Sequence, residues 1–172
     1  MRILSVTLMA LSLILVPTLQ AQESDGGAEY SIETNLAYIA LGAFSSAGGN
    51  VFIVAPLYSQ LRVFGRFSVD LAAAYIYNSH PTLETPSAMI LAEAGASYHP
   101  SASIGGWTFG LLPGFVYSFD SRTAGFSASL NCGYKWVIGN GLILGALTGA
   151  RYVWIDGYIV LPDLAISLGY RL

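Results

Sequence analysis

The sequence is short of charge, of cysteine and of long apolar runs. Charged residues make up only 10% of the 172 positions, against 54% hydrophobic. A soluble domain averages about 25% charged, so an ordinary water-facing surface is excluded. Disorder is excluded too, because disordered chains are polar and charge-rich. A single cysteine, Cys132, permits no internal disulfide. Beyond the N-terminus no stretch reaches the 18 or so uninterrupted apolar residues of a membrane-spanning helix. No basic patch offers a nucleic-acid surface. Two histidines, 19 residues apart, give no metal-ligand spacing, and no cofactor motif is present. Gly48-Gly49 and Gly139-Asn140-Gly141 read as turns, since no helix follows them.

What is present is glycine (19), aromatic residues (8 Phe, 11 Tyr, 3 Trp) and a hydrophobic period of two. Met1-Arg2, the apolar run Ile3 to Val16, Pro17 and Leu19-Gln20-Ala21 read as a secretory signal peptide over 1–21. Cleavage there leaves six basic and ten acidic residues, a charge of about −4. Residues 22–29 are expected as a polar tail and 30–172 as one domain.

The alternation is clearest from Thr123 to Trp136. Phe126, Ala128, Leu130, Cys132, Tyr134 and Trp136 share one face, and Ser127, Ser129, Asn131, Gly133 and Lys135 share the other. Similar segments run over Phe67–Tyr77, Ile90–Tyr98, Trp107–Asp120, Leu142–Trp154 and the C-terminal stretch ending at Leu172. The first strand is expected over about Ser31–Leu41, with Leu36 and Tyr38 opposite Glu33 and Asn35. Asn50–Arg62 is the least regular, and bulges are expected at Pro56 and Pro113, which cannot donate to a ladder. That makes eight strands, separated by turn-rich connections.

The polar face is mostly Gly, Ser, Ala and Asn, with about one charge per strand. A soluble barrel would carry its charges outward. A sparse polar face suits a tightly packed interior, and an apolar, aromatic face suits lipid. With the N-terminus on the periplasmic side, Tyr75, Tyr77, Tyr117, Tyr152 and Trp154 fall at one end of their strands. Tyr98, Trp107 and Trp136 fall at the other, as two aromatic girdles would. The expected fold is an all-β, eight-stranded antiparallel transmembrane up-and-down barrel, monomeric and embedded in outer-membrane lipid or lipopolysaccharide.

At this level of pattern the chain resembles the small eight-stranded outer-membrane barrels of OmpA transmembrane-domain, OmpX and OmpW type. Its terminal Ile166, Leu168, Tyr170 and Leu172 resemble the strand signal read by the outer-membrane assembly machinery. Leu stands where that family often has Phe. Thr34-Asn35-Leu36 resembles the first strand of small barrels in the group. The resemblance implies export to the outer membrane of a diderm bacterium and a non-enzymatic envelope or surface-interaction role.

An eight-stranded barrel is filled by its own side chains. By parity the inward charges are Glu33, Arg66, Asp70, Glu93, Lys135 and Arg151, with Arg62 and Arg171 near the periplasmic rim. They read either as a salt-bridge plug or as a polar path for ions or protons. Some barrels of this size are lipid A acylases or deacylases, and His80, Asp120 and Ser121 could supply base, orienting carboxylate and nucleophile. His-Pro and Asp-Ser are also ordinary turn pairs. A third reading is a small conduit for hydrophobic solutes, with the irregular Asn50–Arg62 segment as the broken part of the wall. The outer connections are short, which disfavours a large protein-binding surface.

Overall fold

The computed structural model describes residues 28–46, 52–79, 88–155 and 158–172. Eight strands close an all-antiparallel up-and-down barrel in sequence order. They are β1 (Glu29–Asn35), β2 (Phe52–Phe64), β3 (Phe67–Asn78), β4 (Ala88–Tyr98), β5 (Gly106–Ser118), β6 (Thr123–Ile138), β7 (Leu142–Trp154) and β8 (Tyr158–Arg171). One helix, α1 (Leu36–Ser46), follows β1 directly. The basal end carries the β2–β3, β4–β5 and β6–β7 turns and the C-terminus. The apical end carries the other connections.

Period two becomes two faces. Large side chains stand outward from β3, β5, β6 and β8, among them Leu71, Leu111, Leu130, Leu164 and Ile166, while Ser68, Asp70, Ser127, Ser129 and Lys135 on the same strands are buried inside. The turn at Gly139-Asn140-Gly141 has left-handed backbone at both glycines, a conformation that glycine alone adopts without strain. Aromatic rings also pack in pairs near both ends of the barrel. Tyr134 packs against both Trp107 and Trp136, and Phe67 against Tyr98, at the basal end. Tyr117 meets Phe119, and Phe126 meets Tyr152, at the apical end.

Three expectations need correction. The first strand stops at Asn35, and Leu36 and Tyr38 belong to α1 rather than to a sheet. Asn35 caps the helix: its side-chain oxygen accepts from the Ala37 amide at 3.0 Å. The segment Leu36 to Phe44 is apolar on every side, so period two had nothing polar to contradict it.

Pro56 makes no bulge. It stands opposite Ala74 in unbroken β2–β3 register, and the register shift lies between Arg62 and Phe64 instead. β1 pairs with β2 only as far as Tyr58, so Pro56 sits on an edge, where a missing N–H is harmless.

Pro113 makes no bulge either. The β4–β5 register is the same on both sides of it, but Ala94 and Gly95 have no ladder partner on β5. Next to it, a Cβ on Gly114 would run into the Ala92 carbonyl and the Glu93 backbone, so the two strands approach closely there. The β5–β6 ladder passes Pro113 without interruption.

The short β1 leaves a break in the wall. β1 pairs with β8 only over Ser167–Arg171. Among the described residues, the apical parts of β2 (Phe52–Leu57) and β8 (Tyr158–Ile166) therefore have ladder partners on one side only. α1 packs against both edges. Side chains stitch its base in place: Thr34 Oγ1 donates to the Pro56 carbonyl at 2.8 Å, Asn35 Nδ2 donates to the Leu164 carbonyl at 3.2 Å, and the Ile166 amide donates to Asn35 Oδ1 at 3.3 Å.

Candidate functional site: the charged lumen

The lumen holds two polar clusters and two closures. In the basal half, Lys135 is 1% exposed and Glu33 2%. Lys135 Nζ donates to Glu33 Oε1 at 2.6 Å and to Gln60 Oε1 at 3.2 Å, and lies 4.8 Å from the Tyr58 ring centroid. Asp70, fully buried, accepts from Tyr58 (2.8 Å), Gln60 (3.0 Å), Ser68 (2.8 Å) and Ser97. Four donors satisfy this carboxylate although, among the described residues, no cation touches it. His99 Nε2 lies 3.0 Å from Ser68 Oγ. The Ser68 proton is committed to Asp70, so Nε2 is the protonated nitrogen and donates.

Glu29 closes the basal end. Its carboxylate accepts from Arg62 Nε (3.0 Å), Arg171 (3.3 Å), the Ile104 amide (2.7 Å) and Ser103 Oγ (3.4 Å). These bonds draw the β4–β5 turn across the mouth and bury Ile104 completely. His99, at the start of that turn, is held below its ordinary pKa, first by burial and then by the Lys135 ammonium.

In the apical half, Arg151 lies between two carboxylates, 3.3 Å from Glu93 Oε2 and 3.0 Å from Asp163 Oδ2. Ser129 donates to Glu93 Oε2 (3.2 Å), and Tyr38 reaches in from α1 to donate to Asp163 Oδ1 (2.7 Å). Above them Ala74, Leu91 and Val116 pack together with Met89, Val153 and Ile155 as an apolar cap. Glu93 Oε1, Arg151 Nε and Ser127 Oγ are buried with no hydrogen-bond partner.

Of the six inward charges expected from parity, five face the lumen, and they divide between the two clusters instead of forming one network. Glu33, Asp70 and Lys135 sit basally, Glu93 and Arg151 apically. Arg66 is the exception: it occupies the exposed β2–β3 turn and contacts Tyr98 Oη at 3.3 Å. The turn takes Gly65 in a left-handed conformation, which carries the chain past the rim before β3 begins.

Sequence reasoning missed Glu29, Tyr38, Tyr58, Gln60 and Asp163 as members of the lumen, whereas His99 shares the parity of Glu93, Gly95 and Ser97. Gln60 and Tyr58 share parity with Arg62 and could have been found there. Asp163 shares parity with Ser167 but lies beyond the segment read as the last strand.

The catalytic candidates do not converge among the described residues. His80 lies outside them. Ser121 Oγ is engaged with Thr123 Oγ1 at 2.5 Å, and Asp120 accepts from the Ala88 amide at 3.4 Å. No group of three or more His, Cys, Asp or Glu that could hold a metal occurs among the described residues. Ile166, Leu168, Tyr170 and Leu172 line the outer face of β8.

No family model, curated protein or solved structure matches the chain.

Proposed function

We propose that the chain is a sealed outer-membrane barrel with a non-enzymatic role in the envelope, of the general kind represented by the OmpA transmembrane domain, OmpX and OmpW. One observation carries the membrane part of this reading. Among the described residues, every charged side chain on a strand faces the lumen or the basal rim, and the exposed charges Arg66, Asp120 and Arg122 all lie in turns. The wall itself presents side chains such as Val160 (60% exposed), Leu130 (62%) and Phe115 (53%). A monomer in water rarely exposes an apolar patch beyond a few hundred Å². A wall of this kind is the expected surface for hydrocarbon, where a closed barrel also satisfies the backbone.

The second part, that the barrel is sealed, is supported by the Glu29–Ile104 closure and the filled basal half. An ion crossing it would have to break the Lys135–Glu33 pair and displace Gln60 and Tyr58. Reconstitution into a planar bilayer tests this: the folded protein gives no conductance steps above the lipid baseline, and Glu29→Ala, which releases the β4–β5 turn, gives small, flickering ones. Regular steps from the unaltered protein would overturn the sealed reading.

A conduit for hydrophobic solutes is favoured by a different observation, the wall break at α1. It concerns the side of the barrel and not its axis.

A further inference from the structure

Several buried polar side-chain atoms are unmatched, among them Glu33 Oε2 in the basal half and, in the apical half, Glu93 Oε1, Arg151 Nε, Ser127 Oγ and Ser118 Oγ; the first three of the apical four belong to the Glu93–Arg151 cluster or its neighbourhood. Glu93 is 3% exposed. An unmatched buried carboxylate oxygen is destabilising unless something donates to it. The cluster is also unbalanced, since Glu93 and Asp163 face Arg151 alone. It carries one excess negative charge.

Three boundaries surround this cluster. Below it is the filled basal half with its Glu29–Ile104 closure. Above it is the apolar cap of Leu91, Val116 and Ala74. At the side, Asp163 stands on β8, the strand whose apical edge lacks a ladder partner, and Tyr38 connects it to α1. α1 satisfies its own backbone. It is fixed to the two edges by the side chains of Thr34 and Asn35 and to the lumen by Tyr38, so displacing it breaks no ladder. Each facing edge also carries a proline, Pro56 on β2 and Pro162 on β8.

The break has a definite height. Ala55 stands opposite Tyr75, and Val160 opposite Tyr152, so its upper part lies level with the apical aromatic belt. On β8 it continues down to Ile166, about six residues or about 20 Å of strand below that belt. In a membrane it faces the outer leaflet.

We infer that the break at α1 is a lateral binding site for a single-chain amphiphile with a hydrogen-bond-donating head, cationic or hydroxylic. Its head sits against Glu93 and Asp163, and its alkyl chain passes between the β2 and β8 edges into the outer leaflet. The excess negative charge and the open carboxylate oxygen select a donor head and reject a carboxylate one. The apolar cap keeps water from taking its place.

This inference rests on the membrane reading, and its test separates the two. The protein is first reconstituted in phosphatidylcholine nanodiscs. A chain that remains folded in buffer and does not enter the disc removes the membrane reading and this inference with it. With the protein inserted, amide shifts are followed by NMR while dodecylamine, dodecanol or dodecanoate is added.

The expected result is saturable shifts at Glu93, Arg151 and Asp163 with the amine and, more weakly, the alcohol, and none with dodecanoate. Glu93→Gln, which keeps the shape and removes the charge, weakens the amine about tenfold, the worth of a hydrogen bond to a charged group. A nitroxide on the amine's chain broadens the amides of Leu57 and Leu164 and spares Phe109 on the far wall. Identical responses to all three compounds, or broadening spread evenly around the wall, would mean simple partitioning and overturn the site. No saturable shift with any of them would leave the orphan atoms to water and overturn it equally.

Discussion

Lys135 is the sequence's only lysine and is fully enclosed. Its ammonium and the Glu33 carboxylate offset each other's burial, so removing one partner should cost far more than removing both. Lys135→Ala is expected to lower unfolding stability by about 3–5 kcal/mol, because it strands Glu33 without a counter-charge. The double change Lys135→Met with Glu33→Leu is expected to stay within about 2 kcal/mol of the unaltered protein. Urea titration of the lipid-reconstituted barrel measures both. Equal losses from the single and the double change would contradict the pairing.

His99 gives a pH prediction of definite sign. Its pKa is lowered on folding, so the folded state favours the neutral ring. The stability it contributes is fully present above the unfolded-state value of about 6.5 and is lost as the pH falls through the lower folded value. A melting-temperature profile from pH 8 to 5 should decline on the acid side, and His99→Gln should flatten that part of the decline. Parity alone made five of the six inward charges legible. It failed at Arg66, because a turn interrupts the alternation, but it holds at His99, which keeps the parity of Glu93 and Ser97 one residue beyond the end of its strand.

At the scale of elements, the seven strands from β2 to β8 were legible because polar and apolar residues alternate along them. Their turns were legible because glycine, asparagine and proline mark them. The β1–α1 junction was not. An apolar run bounded by no charge fits a strand or a buried helix equally well, and only the loss of pairing with β2 and β8 distinguishes them. The residue that decides the outcome is Asn35, which caps the helix and at the same time bonds the β8 edge at Leu164 and Ile166. Asn35→Ala should cost about 2 kcal/mol, a helix cap plus an edge contact. Hydrogen exchange should accelerate along α1 and spare β4 to β6. Uniform acceleration around the barrel would contradict a local role for the junction.

The prolines belong to the same scale. A proline inside an alternating segment suggests a bulge, yet Pro56 lies on an edge and Pro113 merely drops two ladder pairs. Sequence could not distinguish these cases, since the answer depends on how far the neighbouring strand extends.

For the whole molecule, the distribution of charge is the central fact. Few charges and many apolar residues describe a failed soluble protein until the two faces are separated. Among the described residues, the charges on strands then line the lumen and the basal rim, and the apolar residues form the wall. Sequence parity carried the eight-stranded barrel. It could not carry the basal closure of the lumen, which depends on contacts between Glu29 of β1 and Ser103 and Ile104, over 70 positions away.

All three tryptophans, Trp107, Trp136 and Trp154, stand outward, two in the basal belt and one in the apical belt. The most direct test of the membrane account is therefore their quenching in vesicles of lipids brominated at defined depths. The account predicts strong quenching by bromines near the headgroup end of the acyl chains, weaker quenching by bromines at the bilayer centre, and little effect of aqueous iodide. Efficient quenching by iodide with none from any brominated lipid would put the wall in water and contradict the account.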